Sequence, residues 1–123
     1  MTAIEISNHN QLYMALGYCA FMLVLGLLFQ KFPPKKINYL YGYRTNRSMK
    51  NQEVWEAANN YASKLFLRIC LYSFLLPVVS YFLFPQYNIL ITIIVNTLLL
   101  FFMMYSTETY LKEYFDADGN PLS

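Results

Sequence analysis

Apolar residues run almost unbroken through Leu12–Phe29, Leu65–Phe84 and Ile89–Tyr105, while polar residues collect between and beyond these runs. The first and third runs carry no Lys, Arg, Asp or Glu, and the second carries only Arg68, near its start. A run of about 18 residues rises roughly 27 Å as a helix, close to the thickness of a bilayer core. Lipid offers no water to satisfy backbone groups, so a helix, which bonds its own backbone, is the expected spanning element. The pattern predicts three transmembrane helices, at about 12–31, 65–84 and 89–106.

A different pattern precedes the second run. Trp55, Ala58, Ala62 and Leu65 recur at helical spacing, with Glu53, Glu56, Asn60 and Lys64 placed mostly elsewhere around the turn. This predicts an amphipathic helix over about 51–64 on the cytoplasmic face, free to run on into the second span. Ser48 or Asn51 can cap it, and Glu53 falls in its first turn, where the helix dipole favours an anion. Pro33-Pro34 ends the first helix, Pro77 predicts a kink within the second span, and Pro85 ends it. Only Pro85-Gln86-Tyr87-Asn88 joins the second and third runs, so those helices are antiparallel neighbours. After Tyr105 the last helix is expected to continue into Ser106–Phe115, and Asp116–Pro121 reads as a turn and mobile tail. The expected fold is all-α: a single membrane domain over 1–123, with a cytoplasmic loop and amphipathic helix at about 32–64 and a C-terminal tail at 107–123.

Composition agrees with burial in lipid. Hydrophobic residues make up 57% of the chain and aromatics 19%, more than a small soluble domain needs. The distribution of charge then orients the helices. Lys31, Lys35, Lys36, Arg44, Arg47, Lys50 and Lys64 lie between the first two spans, whereas Met1–Asn10 contains no Lys or Arg. By the positive-inside rule the basic loop is cytoplasmic, the N-terminus outside and the C-terminus inside. Leu12–Phe29 lacks the basic start and small-residue cleavage site of a signal peptide and is expected to be retained. The basic loop is accounted for by topology and anionic lipid, and nucleic acid is not an expected partner. Cys19 and Cys70 fall at different depths and read as packing residues. No CxxC or HExxH pattern is present, and neither a metal nor a cofactor is expected.

The chemistry-bearing stretch is Asn38–Asn59. Here the chain resembles the SdpI family, through Asn38, Gly42-Tyr43-Arg44-Thr45, Ser48, Asn51, Glu53-x-Trp55 and Ala58-Asn59. The resemblance covers roughly residues 12–115 and implies a multispanning membrane protein corresponding to the motif-bearing half of fuller-length members. It implies immunity to a membrane-active peptide toxin, or signalling by holding a regulator at the membrane, without catalysis. The implied partners are membrane lipid and a protein: a toxin peptide, a regulator or another membrane subunit. Candidate binding residues are therefore Asn38, Gly42, Tyr43, Arg44, Thr45, Ser48, Asn51, Glu53, Trp55 and Asn59.

Each has a plainer alternative. Arg44, assisted by Thr45 and Ser48, could grip a phosphate or carboxylate, or act only as an orientation charge. Trp55 could bind a partner or anchor beneath the loop. Glu53 and Glu56 could act in acid/base chemistry, or simply suit a helix start and pair with Lys50 or Arg47. Arg68 is expected to snorkel to the headgroups or to pair with Glu108. Asn96, deep in the third span near Thr92, is expected to bond between helices. Two further roles remain open at this point: a structural subunit of a larger membrane complex, and a lipid-headgroup-binding or lipid-handling protein.

Overall fold

A computed structural model describes residues 1–122; Ser123, the last residue of the expected domain and tail, lies outside the described residues. Four α-helices follow one another: α1 (Ala3–Lys31), α2 (Gln52–Tyr72), α3 (Leu75–Leu83) and α4 (Asn88–Tyr114), with a 3-10 turn over Pro85–Tyr87. Three helical stretches are long and apolar enough to cross a membrane: Ala3–Lys31, Gln52–Leu83 and Pro85–Tyr114. The protein is an all-α, multi-pass membrane protein.

Local chemistry sets the helix ends. The Thr2 hydroxyl accepts from the Glu5 amide, and the Glu5 carboxylate accepts from the Thr2 amide, a reciprocal box that starts α1. Asn51 Oδ1 accepts from the Val54 amide and starts α2. Residues 52–64 are the first part of α2, so a separate amphipathic helix over 51–64 is not present. No Pro or Gly interrupts α2 there, and its Trp55, Ala58 and Ala62 face is buried within the bundle. The predicted kink falls at Ser73–Phe74, between α2 and α3. Pro77 has no N–H to give the Ser73 carbonyl four residues back. That carbonyl instead accepts from the Leu76 amide at 3.0 Å and lies 3.6 Å from Cys19 Sγ on α1.

The seam between helices is small and polar, and the outer surface is apolar. Ala15, Cys19, Cys70, Ser73, Ser80, Asn88, Thr92 and Asn96 are buried. Phe82, Leu98, Phe101 and Phe102 face outward, as lipid-facing side chains do. At Gly26 a Cβ would sit 3.3 Å from Cys70 Sγ, so α1 and α2 approach closely there. Asn96 does not bond between helices as expected. Its amide donates to the Thr92 carbonyl one turn back on α4, at 3.0 Å. The link to another helix is made by Asn88, whose Nδ2 donates to the Pro77 carbonyl of α3 at 2.9 Å and whose Oδ1 accepts from Thr92 Oγ1 at 3.3 Å. Gln11 of α1 adds a second tie by accepting from the Ile89 amide at the start of α4.

At the opposite end, Tyr43, Val54, Ala58, Ala62, Leu111 and Phe115 form an apolar core. Residues after α4, expected to be a mobile tail, fold back onto it. Phe115 is buried and bridges Pro121, and Asn51 Nδ2 donates to the Gly119 carbonyl at 2.8 Å. Gly119 adopts φ +85, and a Cβ there would lie 2.7 Å from Asn51 Nδ2. Asn51 thus caps α2 with one end of its amide and holds the C-terminal turn with the other. Asn51→Ala is expected to destabilise the protein by about 1–2 kcal/mol, the cost of a lost cap plus one hydrogen bond. Thermal unfolding in detergent measures it, and limited proteolysis at the C-terminal turn should accelerate in parallel.

Candidate functional site

The Asn38–Asn59 residues converge on the segment that joins α1 to α2 and fasten it to the bundle. Pro33-Pro34 turns the chain out of α1, and the buried Trp55 ring of α2 lies beneath it, with Nε1 donating to the Pro34 carbonyl at 2.8 Å. Asn38 Oδ1 accepts from the Leu40 and Tyr41 amides at 2.9 and 2.7 Å, and its Nδ2 donates to the Lys36 carbonyl, so the side chain shapes its own turn. Tyr41 OH donates to the Phe32 carbonyl at 2.8 Å.

Gly42 then takes φ +108, where a Cβ would come within 2.6 Å of Pro34 Cγ and 2.7 Å of Asn59 Oδ1. Only glycine meets both the conformation and the contact. The close approach lets Asn59 grip the next residue: its Oδ1 accepts from the Tyr43 amide at 2.6 Å, and its Nδ2 donates to the Tyr43 carbonyl at 3.3 Å and the Trp55 carbonyl at 3.0 Å. Thr45 and Ser48 close a reciprocal box, with the Thr45 amide on Ser48 Oγ at 2.8 Å and the Ser48 amide on Thr45 Oγ1 at 3.1 Å.

The Tyr43 ring reaches α4. Its hydroxyl lies 2.9 Å from Glu108 Oε1 and 3.2 Å from the Met104 carbonyl. Burial first, then the hydrogen bond to Glu108 and that group's negative charge, push the phenol well above its ordinary range and keep it a neutral donor. The other Glu108 oxygen lies 3.5 Å from Arg47 Nε, the one ion pair among the described residues.

Several sequence expectations change here. Glu108 pairs with Arg47 of the loop and not with Arg68; Arg68 is exposed on α2, the placement that suits a snorkelling charge. Thr45 and Ser48 do not assist Arg44, because their hydroxyls are committed to the loop backbone and Ser48 is fully buried. Arg44 itself is exposed and donates to the Tyr39 carbonyl. Glu53 is exposed in the first turn of α2, as its helix-start reading requires. Glu56 accepts from Gln52 Nε2 at 3.0 Å and pairs with neither Lys50 nor Arg47.

Pro34, Gln52 and Arg47 are structural partners that sequence reasoning did not assign to these roles. The proline and glutamine act through or on backbone carbonyls, and a sequence pattern carries no sign of those bonds. Among the described residues no group of three or more His, Cys, Asp or Glu is placed to hold a metal ion.

The model of the SdpI/YfhL protein family matches residues 35–106. The chain belongs to this family. The SdpI-family match begins in the fastened loop and takes in α2, α3 and most of α4, leaving α1 before it. The chain is also similar to the "Uncharacterized protein YfhL" of Bacillus subtilis (strain 168), 50% identical over 46 residues. That stretch is 37% of this chain and 42% of the relative, so less than half of the relative's length is matched. No solved structure matches.

Proposed function

We propose that this SdpI-family membrane protein works without catalysis, by binding a protein partner at its fastened loop in an immunity or signalling role. The observation that carries the reading is what the motif leaves free. Asn38, Gly42, Tyr43, Thr45, Ser48, Trp55 and Asn59 are occupied in holding the loop, Asn51 caps α2 and holds the C-terminal turn, and the side chains left outward are Tyr39 and Leu40, 83% and 91% exposed, with Arg44 beside them. An ordered aromatic and aliphatic tip next to a guanidinium has the composition of an interface anchor. A loop fixed before contact also loses little conformational entropy on binding. The concentration of Lys and Arg between α1 and α2 supports a cytoplasmic position for this face, in a bacterial inner membrane with the N-terminus outside. The partner is then a toxin peptide, a regulator or a second membrane subunit.

Affinity purification in mild detergent tests the reading. The wild type is compared with a Tyr39→Ala, Leu40→Ala pair, whose side chains are too exposed to contribute much to folding. We expect a specific protein partner to be depleted by about tenfold or more in the double variant, the loss of one strong anchor, with the unfolding temperature unchanged. Equal recovery of the partner from both proteins would remove the loop tip from the interface.

A further inference from the structure

A cavity of about 320 Å³ lies between the end of α1, the Pro33–Lys35 exit and the outer side of α2. It is distinct from the loop tip, and its size falls at the lower end of small-molecule sites, about 300–1,000 Å³. Its walls carry Lys35 and Glu56, charges of opposite sign that do not pair with each other. They also carry the amides of Gln30 and Asn60, which take no hydrogen bond from or to the described residues, and the Ser63 hydroxyl. Gln52 Nε2 donates both to the Lys35 carbonyl and to Glu56 Oε1. One side chain therefore ties the backbone at Lys35 to Glu56 and leaves the second carboxylate oxygen of Glu56 without a hydrogen bond among the described residues.

We propose that this cleft binds a phosphoethanolamine group, with the phosphate on Lys35 and the primary ammonium on Glu56. Two unlike charges around one cavity can both be used by a zwitterion, whereas an anion or a cation engages only one of them. The carboxylate and amide oxygens select a group with N–H donors, so a quaternary choline, which has none, is disfavoured. The level in the bundle suits a headgroup. Gln30 belongs to the last turn of α1, and exposed Lys64 and Arg68 stand beside and one turn beyond Ser63 on α2, where long cationic side chains meet lipid phosphates. The group can arrive as the headgroup of a membrane phospholipid or as the free phosphate ester.

The test reconstitutes the full chain in an equimolar mixture of phosphatidylethanolamine, phosphatidylcholine and phosphatidylglycerol, then counts retained lipids by native mass spectrometry. Wild type is expected to enrich the ethanolamine lipid about tenfold over the choline lipid, the effect of one charge-assisted hydrogen bond. Glu56→Gln should abolish that preference while total phospholipid is kept; Lys35→Ala should lower total retention. Asn60→Leu, which fills the cleft from an exposed helix position, should do both. In a parallel arm, thermal protection by free phosphoethanolamine in detergent, removed by Glu56→Gln, would assign the site to the soluble ester. No enrichment together with no protection, or a preference unchanged in Glu56→Gln, overturns the proposal. Tyr39 and Leu40 lie outside this cleft, so partner capture by the loop tip should survive Glu56→Gln, and each reading can fail alone.

Discussion

Trp55→Ala is expected to be the most damaging single substitution in this protein, lowering stability by about 3–5 kcal/mol. The indole is fully buried where the loop crosses α2, and its Nε1 is the donor to the Pro34 carbonyl. Truncation opens a cavity beneath the Pro33-Pro34 turn and orphans that carbonyl in the same step, so the transfer, cavity and hydrogen-bond costs fall together. Chemical unfolding in detergent measures the total. Trp55→Phe separates the contributions in part, since it keeps a six-membered ring in the site while losing the N–H and the rest of the bicycle; it should cost about 2–3 kcal/mol, less than Trp55→Ala. If both variants cost the same, the hydrogen bond dominates, and if Trp55→Phe is neutral, packing alone holds the turn.

Asn59→Ala comes second, at about 2–4 kcal/mol, because one buried amide makes three bonds that no neighbour can replace. The loss falls on the loop. The Tyr43 amide is left without its acceptor next to a glycine already in the left-handed region, so the segment from Asn38 to Ser48 should detach while the spans persist. Hydrogen exchange in that segment should rise well before α1 or α4 is affected. Partner capture at the loop tip should weaken along with it, although Asn59 is itself buried. Asn59→Asp is the stringent control. It keeps the acceptor for Tyr43 but cannot donate to the Tyr43 and Trp55 carbonyls, and it buries a charge, so it should be at least as disruptive. Protection of the loop unchanged in both variants would mean that the Trp55 anchor and the Thr45–Ser48 box suffice to hold it.

The motif residues were legible in the sequence as a group, but their task was not. Gly42, Asn59 and Trp55 stand out by residue type and by the family pattern. Whether their polar atoms face a ligand or the protein's own backbone depends on where the Pro34 and Tyr43 carbonyls lie, and those positions exist only once the loop has folded onto α2. Glu108 shows the same limit. The sequence offered Arg68 as its partner, but α2 leaves Arg68 exposed and the folded loop brings Arg47 Nε to 3.5 Å instead. The Asn96 expectation failed because depth in a span does not specify azimuth: a side chain one turn from a carbonyl on its own helix can satisfy itself there.

The sequence by itself determined the number of long apolar helices and the all-helical class. Both follow from a one-dimensional quantity, the length of the uncharged apolar runs against the bilayer. The tertiary structure alone decided that the C-terminal turn folds back to Asn51, and that the Asn38–Asn59 side chains build a loop and leave Tyr39 and Leu40 outward. The physical reason is that hydrophobic burial in lipid is set by how many apolar residues follow one another, whereas a hydrogen bond is set by angle and distance between groups far apart in the chain.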